Sequence, residues 1–212
     1  MPRKSRATSA LPPPVQALLD LLDLLDEAFD RRSWHGPNLL SALRGLAPDE
    51  AVRRPAPGRH NAQELIVHCA YWKYVVWRKV TGTSRDSFVL DGSNFFPRST
   101  PDADALRADL VLLREQHARL RLAVALLAPK DLGRKVSARS LAWMIRGAAA
   151  HDLYHAGQIR LLRRLSEVAG VDGVYGTGYR HSQRAVGIRS SVKDYWPLRA
   201  ASPTPPPARR YE

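Results

Sequence analysis

The chain has 212 residues, 44% of them hydrophobic and 25% charged, as expected for one globular domain or one domain with tails. Its single cysteine, Cys69, excludes a disulfide framework and a cysteine-based zinc ribbon. No apolar run reaches the roughly 18 residues of a membrane span, and the basic start lacks the apolar core of a secretory signal. We therefore expect a cytoplasmic protein without a membrane partner.

The formal net charge is +13, and more than half of this excess lies in residues 1–14 and 163–212. Such a charge is typical of proteins that bind nucleic acids. The sequence, however, contains no RNA-binding signature, zinc-finger spacing or helix-turn-helix pattern. We interpret the two ends as solvated tails and expect no nucleic-acid partner, so a basic nucleic-acid-associated protein is the weakest of three functional alternatives.

The apolar periodicity is helical along most of the chain. A stripe from Val15 to Phe29 predicts a first helix, with Pro12 to Pro14 as its first turn or lead-in. After Gly36-Pro37, the leucines from Leu39 to Leu46 predict a short helical continuation.

Three longer helices follow in the second part of the chain. Asn61 suits an N-cap, with Glu64 three residues later as in a capping box, and Gly82 suits the end of that second helix. Residues 83–100 lack a period and are interpreted as a loop. Apolar positions from Leu106 to Leu127 predict a third helix, and a fourth runs from about residue 140 to 162.

These elements predict an all-α fold, a four-helix bundle over residues 15–168. The long loop lets the third helix run in the same direction as the second, which makes one long crossover connection. Residues 1–14 are predicted to be a basic, flexible N-terminal segment. Residues 169–212, rich in glycine, proline and basic residues, are predicted to be an irregular C-terminal extension.

Four histidines, His68, His117, His151 and His155, fall on the predicted core stripes. His151 and His155 are four residues apart, so their imidazoles share one helix face and can bind a single ion. The alternative is two histidines hydrogen-bonded to backbone or water. His68 is the natural third ligand, and three histidines leave an open position, as in catalytic zinc sites. His117 lines the pocket or occupies a polar core position.

Other polar residues near these histidines are candidates for the pocket, and none is assigned as the catalytic group. Glu64 and Asp152 could orient the ligands or act as a base. The alternatives are a capping role for Glu64 and a solvated position for Asp152. Tyr154 and Gln158 could line the pocket, and Gln158 could also orient a ligand.

Two segments have specific motifs: the run from Asn61 to His68, followed by Trp72, and the run from His151 to Ile159, which reads H-x-x-x-H-x-G-Q-I. The first resembles the second helix of the DinB/YfiT-like proteins, and the second resembles that family's H-x-x-x-H-x-G-Q-I helix. The resemblance covers about residues 15–167. The resemblance implies a DinB-like bundle in which His68, His151 and His155 hold one divalent metal cation, zinc or nickel.

The resemblance also implies an enzyme that uses a low-molecular-weight thiol as co-substrate with a small-molecule substrate, as a thiol S-transferase does. A thiol has an ordinary pKa of about 8.5, and a bound divalent cation stabilises its thiolate. If water occupied the open position, the site would be that of a hydrolase. A non-catalytic, metal-stabilised bundle or a stress-related binding module stays an alternative. The oligomeric state, with a homodimer as one option, stays open.

Overall fold

The computed structural model describes residues 11–175, with side-chain burial up to residue 166. Its helices are α1 (Pro13–Phe29), α2 (Leu39–Leu43), α3 (Pro48–Val52), α4 (Ala62–Thr81), α5 (Ala103–Ala125) and α6 (Leu141–Tyr175). A 3-10 helix, Pro129–Gly133, and an antiparallel pair of two-residue strands, β1 (Lys135–Val136) and β2 (Arg139–Ser140), connect α5 to α6. The four long helices confirm the predicted all-α four-helix bundle.

Helices α4 and α5 run in the same direction. Near the starts of both helices, Gln63 Nε2 donates a hydrogen bond of 2.8 Å to Asp109 Oδ2. Near their ends, the guanidinium of Arg119 lies 3.9 Å from the centre of a Trp77 ring. The connection between α4 and α5 therefore returns along the length of the bundle, which is the crossover that the sequence predicted.

Helices α1 and α6 run opposite to this central pair. The end of α1 packs beside the middle of α5, where Phe29 stacks on His117 with ring centres 3.7 Å apart. Near the start of α4, His68 contacts His151 in the middle of α6. Near the end of α4, Val80 packs in the same core cluster as Ile145, which lies near the start of α6. The four long helices thus follow an up-down-down-up order.

Both ends of α4 lie where local sequence signals place them. The side chain of Asn61 accepts a hydrogen bond of 2.8 Å from the backbone N–H of Glu64, which satisfies one of the free N–H groups at the helix start. At the other end, Gly82 adopts a left-handed conformation with φ 73°, which costs glycine little. These two ends determine where His68 lies, in the second turn of α4.

Two clusters of buried apolar side chains hold the bundle together. The first packs α2 and α3 against the other helices and includes Leu39, Leu113 and Ile159. The second packs α1 against α4, α5 and α6 and includes Leu25 and Ile145. Each such side chain, when fully buried, contributes about 1.5–3 kcal/mol by leaving water. None of the described helices combines the length and apolar character needed to cross a membrane.

The predicted domain limits need two corrections. Helix α1 begins at Pro13, inside the predicted flexible segment, because proline is compatible with a first helical turn. Helix α6 extends to Tyr175, so the stretch predicted to be irregular from residue 169 is helical to that point. A glycine in a helix costs only about 1 kcal/mol, which is too little to end an established helix. Residues 1–10 and 176–212 of the two predicted tails lie outside the described residues.

Candidate metal centre and its pocket

Three histidines from two antiparallel helices meet inside the bundle. His68 lies on α4, while His151 and His155 lie one turn apart on α6. The Nε2 atom of His151 is 3.0 Å from the Nε2 atom of His68 and 3.0 Å from that of His155. The structure therefore brings together the three histidines that the sequence selected, and this group could hold a metal ion.

The hydrogen bonds of His68 and His155 determine which of their ring nitrogens carry the hydrogen. His68 Nδ1 lies 2.8 Å from the backbone oxygen of Asn94, and His155 Nδ1 lies 2.6 Å from the side-chain oxygen of Gln158. Because carbonyl oxygens only accept, both Nδ1 atoms carry the hydrogen and both Nε2 atoms present lone pairs. His151 Nε2 can donate to only one of them. A cation shared by the three Nε2 atoms would satisfy all three lone pairs.

Burial keeps these imidazoles neutral. Burial, together with the neighbouring histidines, lowers the pKa of His151 to about 3 and that of His155 to about 4. Burial also lowers the pKa of His68, although its hydrogen bond to Asn94 opposes this shift. At pH 7 all three rings are therefore in the unprotonated form that metal coordination requires.

Because these histidines are buried, we expect acid to lower the free energy of unfolding of the metal-free protein. Their folded pKa values lie below the ordinary histidine value of about 6.5, so the unfolded chain binds more protons as the pH falls below that value. The free energy of unfolding should therefore decrease between pH 7 and pH 5. Burial lowers the pKa of His117 to about 3, and this residue should account for about 2 kcal/mol of the decrease.

Urea denaturation at the two pH values would measure this effect. His117→Phe should remove about 2 kcal/mol of the pH dependence, since a phenyl ring can still stack on Phe29 but cannot be protonated. The exposed His35 offers a matched control, and His35→Phe should leave the dependence unchanged. Equal free energies of unfolding at pH 7 and pH 5 in the parent protein would contradict the prediction.

The crossover connection contributes directly to the site. Asn94 has a positive φ of 65°, a left-handed conformation that asparagine tolerates better than most residues, and its backbone oxygen points to His68. Its side-chain oxygen accepts a hydrogen bond of 3.0 Å from Trp72 Nε1. Phe95 stacks on His68 with ring centres 4.1 Å apart. The sequence interpretation missed both residues, although the Gly92-Ser93-Asn94 run signals a turn.

A buried ion pair lies behind the histidines. Lys73 Nζ and Asp152 Oδ2 are in contact, and both side chains are 1% exposed. Burial raises the pKa of Asp152, although the charge and hydrogen bond of Lys73 oppose this shift. The alternative of a solvated Asp152 is therefore wrong, and Asp152 does not line the pocket described below. Lys73 was missed, although its position four residues after Cys69 places it on the same inward face of α4.

Glu64 forms a separate polar cluster near the start of α4. Its buried carboxylate binds Arg54 through both oxygens. It also accepts a hydrogen bond of 2.8 Å from His60 Nδ1 and one of 3.2 Å from the backbone N–H of Arg98. Burial by itself would raise the pKa of Glu64, but these hydrogen bonds lower it below its ordinary value. The carboxylate is thus committed to Arg54, His60 and Arg98, which leaves only the Asn61 half of the predicted capping box in place.

The histidine triad opens into a cavity of about 820 Å³ between α4, α6 and the segment before α4. Its apolar wall includes Leu65, Phe95, Leu161, Leu162 and Leu165. Its polar wall includes Arg59, His60, Tyr154 and Gln158. Tyr154 and Gln158 are therefore on the wall, as the sequence interpretation suggested. His117 is not: it is buried against Phe29, so the polar core position is the one observed.

Comparison with protein families gives a match for this chain. The model of a family described as the DinB superfamily matches residues 31–159, a range that contains all three histidines of the triad. No curated protein and no solved structure matches the chain significantly.

Proposed function

This chain belongs to the DinB superfamily, and from that premise we propose that it is a metal-dependent enzyme of the thiol S-transferase type. His68, His151 and His155 would hold a divalent cation, zinc or nickel, through their Nε2 atoms. When bound, the cation would supply the stabilisation that turns a small thiol into a thiolate near neutral pH. The observation that carries the proposal is the convergence of three Nε2 atoms at a cavity.

The ligand set supports a catalytic site rather than a closed structural one. Imidazole nitrogens suit zinc and nickel, and structural zinc sites usually have four protein ligands. Among the described residues, the group of His68, His151 and His155 contains no fourth metal-binding side chain. A second group, Cys69, His151 and Asp152, shares only His151 with it, and Asp152 is already paired with Lys73. The triad also borders the cavity. A cation held by three histidines would thus have a coordination position available to an exogenous ligand.

The cavity favours thiol transfer over hydrolysis. A volume of about 820 Å³ is in the range of sites that hold drug-sized molecules, and much of the wall is leucine and phenylalanine. Leu161 is 58% exposed and Leu165 is 49% exposed, so an apolar second substrate would bury surface that the described part of the chain leaves uncovered. Of the side chains described, no carboxylate lines the cavity to serve as the glutamate base found in many metal-dependent hydrolases.

The chain's own residues would position the reacting groups. Asn94 and Gln158 hold the rings of His68 and His155 through Nδ1, which fixes the tautomer and the direction of Nε2. The exposed Tyr154 stands on the cavity wall, where its hydroxyl can donate a hydrogen bond to a bound substrate. The leucines on α6 would exclude water from the apolar part of that substrate.

Cobalt substitution tests this proposal. Cobalt-loaded protein titrated with 2-mercaptoethanol should develop a sulfur-to-metal charge-transfer band, since the open position admits the sulfur. Ethanol at the same concentrations is the matched control and should leave the spectrum unchanged. A spectrum that ignores thiols, phosphate and carboxylates alike would show a closed site and contradict an enzymatic role. A response to phosphate and carboxylates but not to thiols would contradict thiol transfer and favour the hydrolase.

A further inference from the structure

A fourth histidine, His60, lies on the wall of the same cavity and is linked to the triad by an aromatic stack. The ring of His60 is parallel to that of Phe95, with centres 3.6 Å apart and an angle of 6° between the planes. Phe95 is in turn parallel to His68, with centres 4.1 Å apart and the same angle of 6°. The stack and the start of α4 therefore hold His60 in a defined orientation on the wall of this cavity, with Phe95 between its ring and the ring of His68.

Glu64 determines which nitrogen of His60 is free. The carboxylate lies 2.8 Å from His60 Nδ1, and it is ionised because Arg54 and the Arg98 backbone also donate to it. An ionised carboxylate only accepts, so Nδ1 carries the hydrogen. In the neutral ring, Nε2 then presents a lone pair, and it has no hydrogen-bond partner among the residues that the structure describes. A carboxylate, an oriented imidazole and a free Nε2 form the arrangement of a general base.

We propose that His60 is the proton acceptor of this site, with Glu64 as its positioning residue. The S–H bond of an incoming thiol breaks, an N–H bond forms at His60 Nε2, and the sulfur keeps the electron pair as a thiolate. Glu64 stabilises the imidazolium that results, through the hydrogen bond at Nδ1. The inference rests on the proposed function, since it takes a thiol as the ligand.

The other polar groups on the wall cannot take this role as readily. The guanidinium of Arg59 has only hydrogen-bond donors and no acceptor, and the Nδ1 atoms of His68 and His155 already donate to oxygens. His60 and the three histidines of the triad line the same cavity. Among the wall residues described, His60 is thus the imidazole whose lone pair stays available when the triad holds a cation.

Counting protons during thiol binding tests the inference without any turnover. Zinc-loaded full-length protein is titrated calorimetrically with 2-mercaptoethanol at pH 7.5, in two buffers that differ in ionisation enthalpy. The dependence of the binding heat on the buffer gives the number of protons released per thiol bound. We expect well under one proton for the parent protein, because His60 keeps it, and close to one for His60→Phe and for His60→Gln.

His35→Phe is the matched control, since His35 is also exposed and lies outside the cavity, and it should release the parent number of protons. His60 is half-exposed, and the phenyl ring can keep the stack on Phe95, so both substitutions should preserve the fold. Release of one proton by the parent protein, with thiol bound, would overturn the role of His60 and leave the proposed function intact. Failure of cobalt-loaded parent protein to bind the thiol would overturn both.

Discussion

Replacing His151 by alanine should abolish stoichiometric metal binding. His151 Nε2 is 3.0 Å from the Nε2 atoms of both other histidines, so the substitution removes the ligand that contacts the other two. Removing a residue that only hydrogen-bonds to a metal ligand lowers metal affinity roughly 10–100-fold, and we expect the loss of affinity in His151→Ala to be larger. His68→Ala and His155→Ala should have the same effect. Calorimetric titration with zinc, together with elemental analysis of untagged protein, would measure it.

The control for this experiment is His117→Ala. His117 is also a buried histidine of the bundle, but it packs on Phe29 and lies outside the cavity, so its loss should weaken metal binding little. Retention of tight binding by His151→Ala would refute the proposed ligand set. A metal-free parent protein purified from metal-replete buffer would refute the site as a whole.

Replacing Lys73 by methionine should destabilise the bundle by about 3–5 kcal/mol, the cost of leaving one charge of a buried ion pair without its partner. Lys73 and Asp152 are each 1% exposed, so water cannot take over the role of the missing ammonium. The other oxygen of Asp152 already lacks a hydrogen-bond partner among the described residues. We expect a melting temperature lower by roughly 10 °C in metal-free protein.

Two further variants distinguish this effect from a simple loss of charge. Lys73→Met combined with Asp152→Leu should recover most of the stability, because a buried ion pair replaced by apolar side chains is often neutral. Arg107→Met removes a pair with Asp104 whose side chains are 70% and 85% exposed, and it should change stability by less than about 1 kcal/mol. Equal effects of Lys73→Met and Arg107→Met would mean that the interior pair is solvated.

The helices and the histidine triad could be predicted because both depend on short-range geometry. Apolar residues spaced three and four apart form one face of a helix, and so do His151 and His155, whatever the remainder of the chain does. Asn61 and Gly82 act on the backbone within a few residues of themselves, and both ends of α4 lie where these residues indicated. The direction of α5 followed from the length of the connection before it.

The groups that hold or surround the triad could not be predicted in the same way. Asn94 reaches His68 across 26 positions of the chain, and Lys73 reaches Asp152 across 79. A sequence pattern reports the face of a helix on which a residue lies, but not which loop or helix covers that face. Glu64 illustrates the difference, because its spacing from Asn61 suggested a capping role, while Arg54 and His60 bind its carboxylate.

The sequence by itself therefore determined the helical fold, the ends of α4 and the three histidines of the candidate metal site, since each depends on helical periodicity or on a local cap. Only the tertiary structure decided that Phe95 lies between His60 and His68, that Glu64 orients His60, and that Lys73 neutralises Asp152 in the interior. These contacts join segments distant in the chain. They form only when the crossover connection and the packing of α4 against α6 bring their partners within hydrogen-bonding or stacking distance.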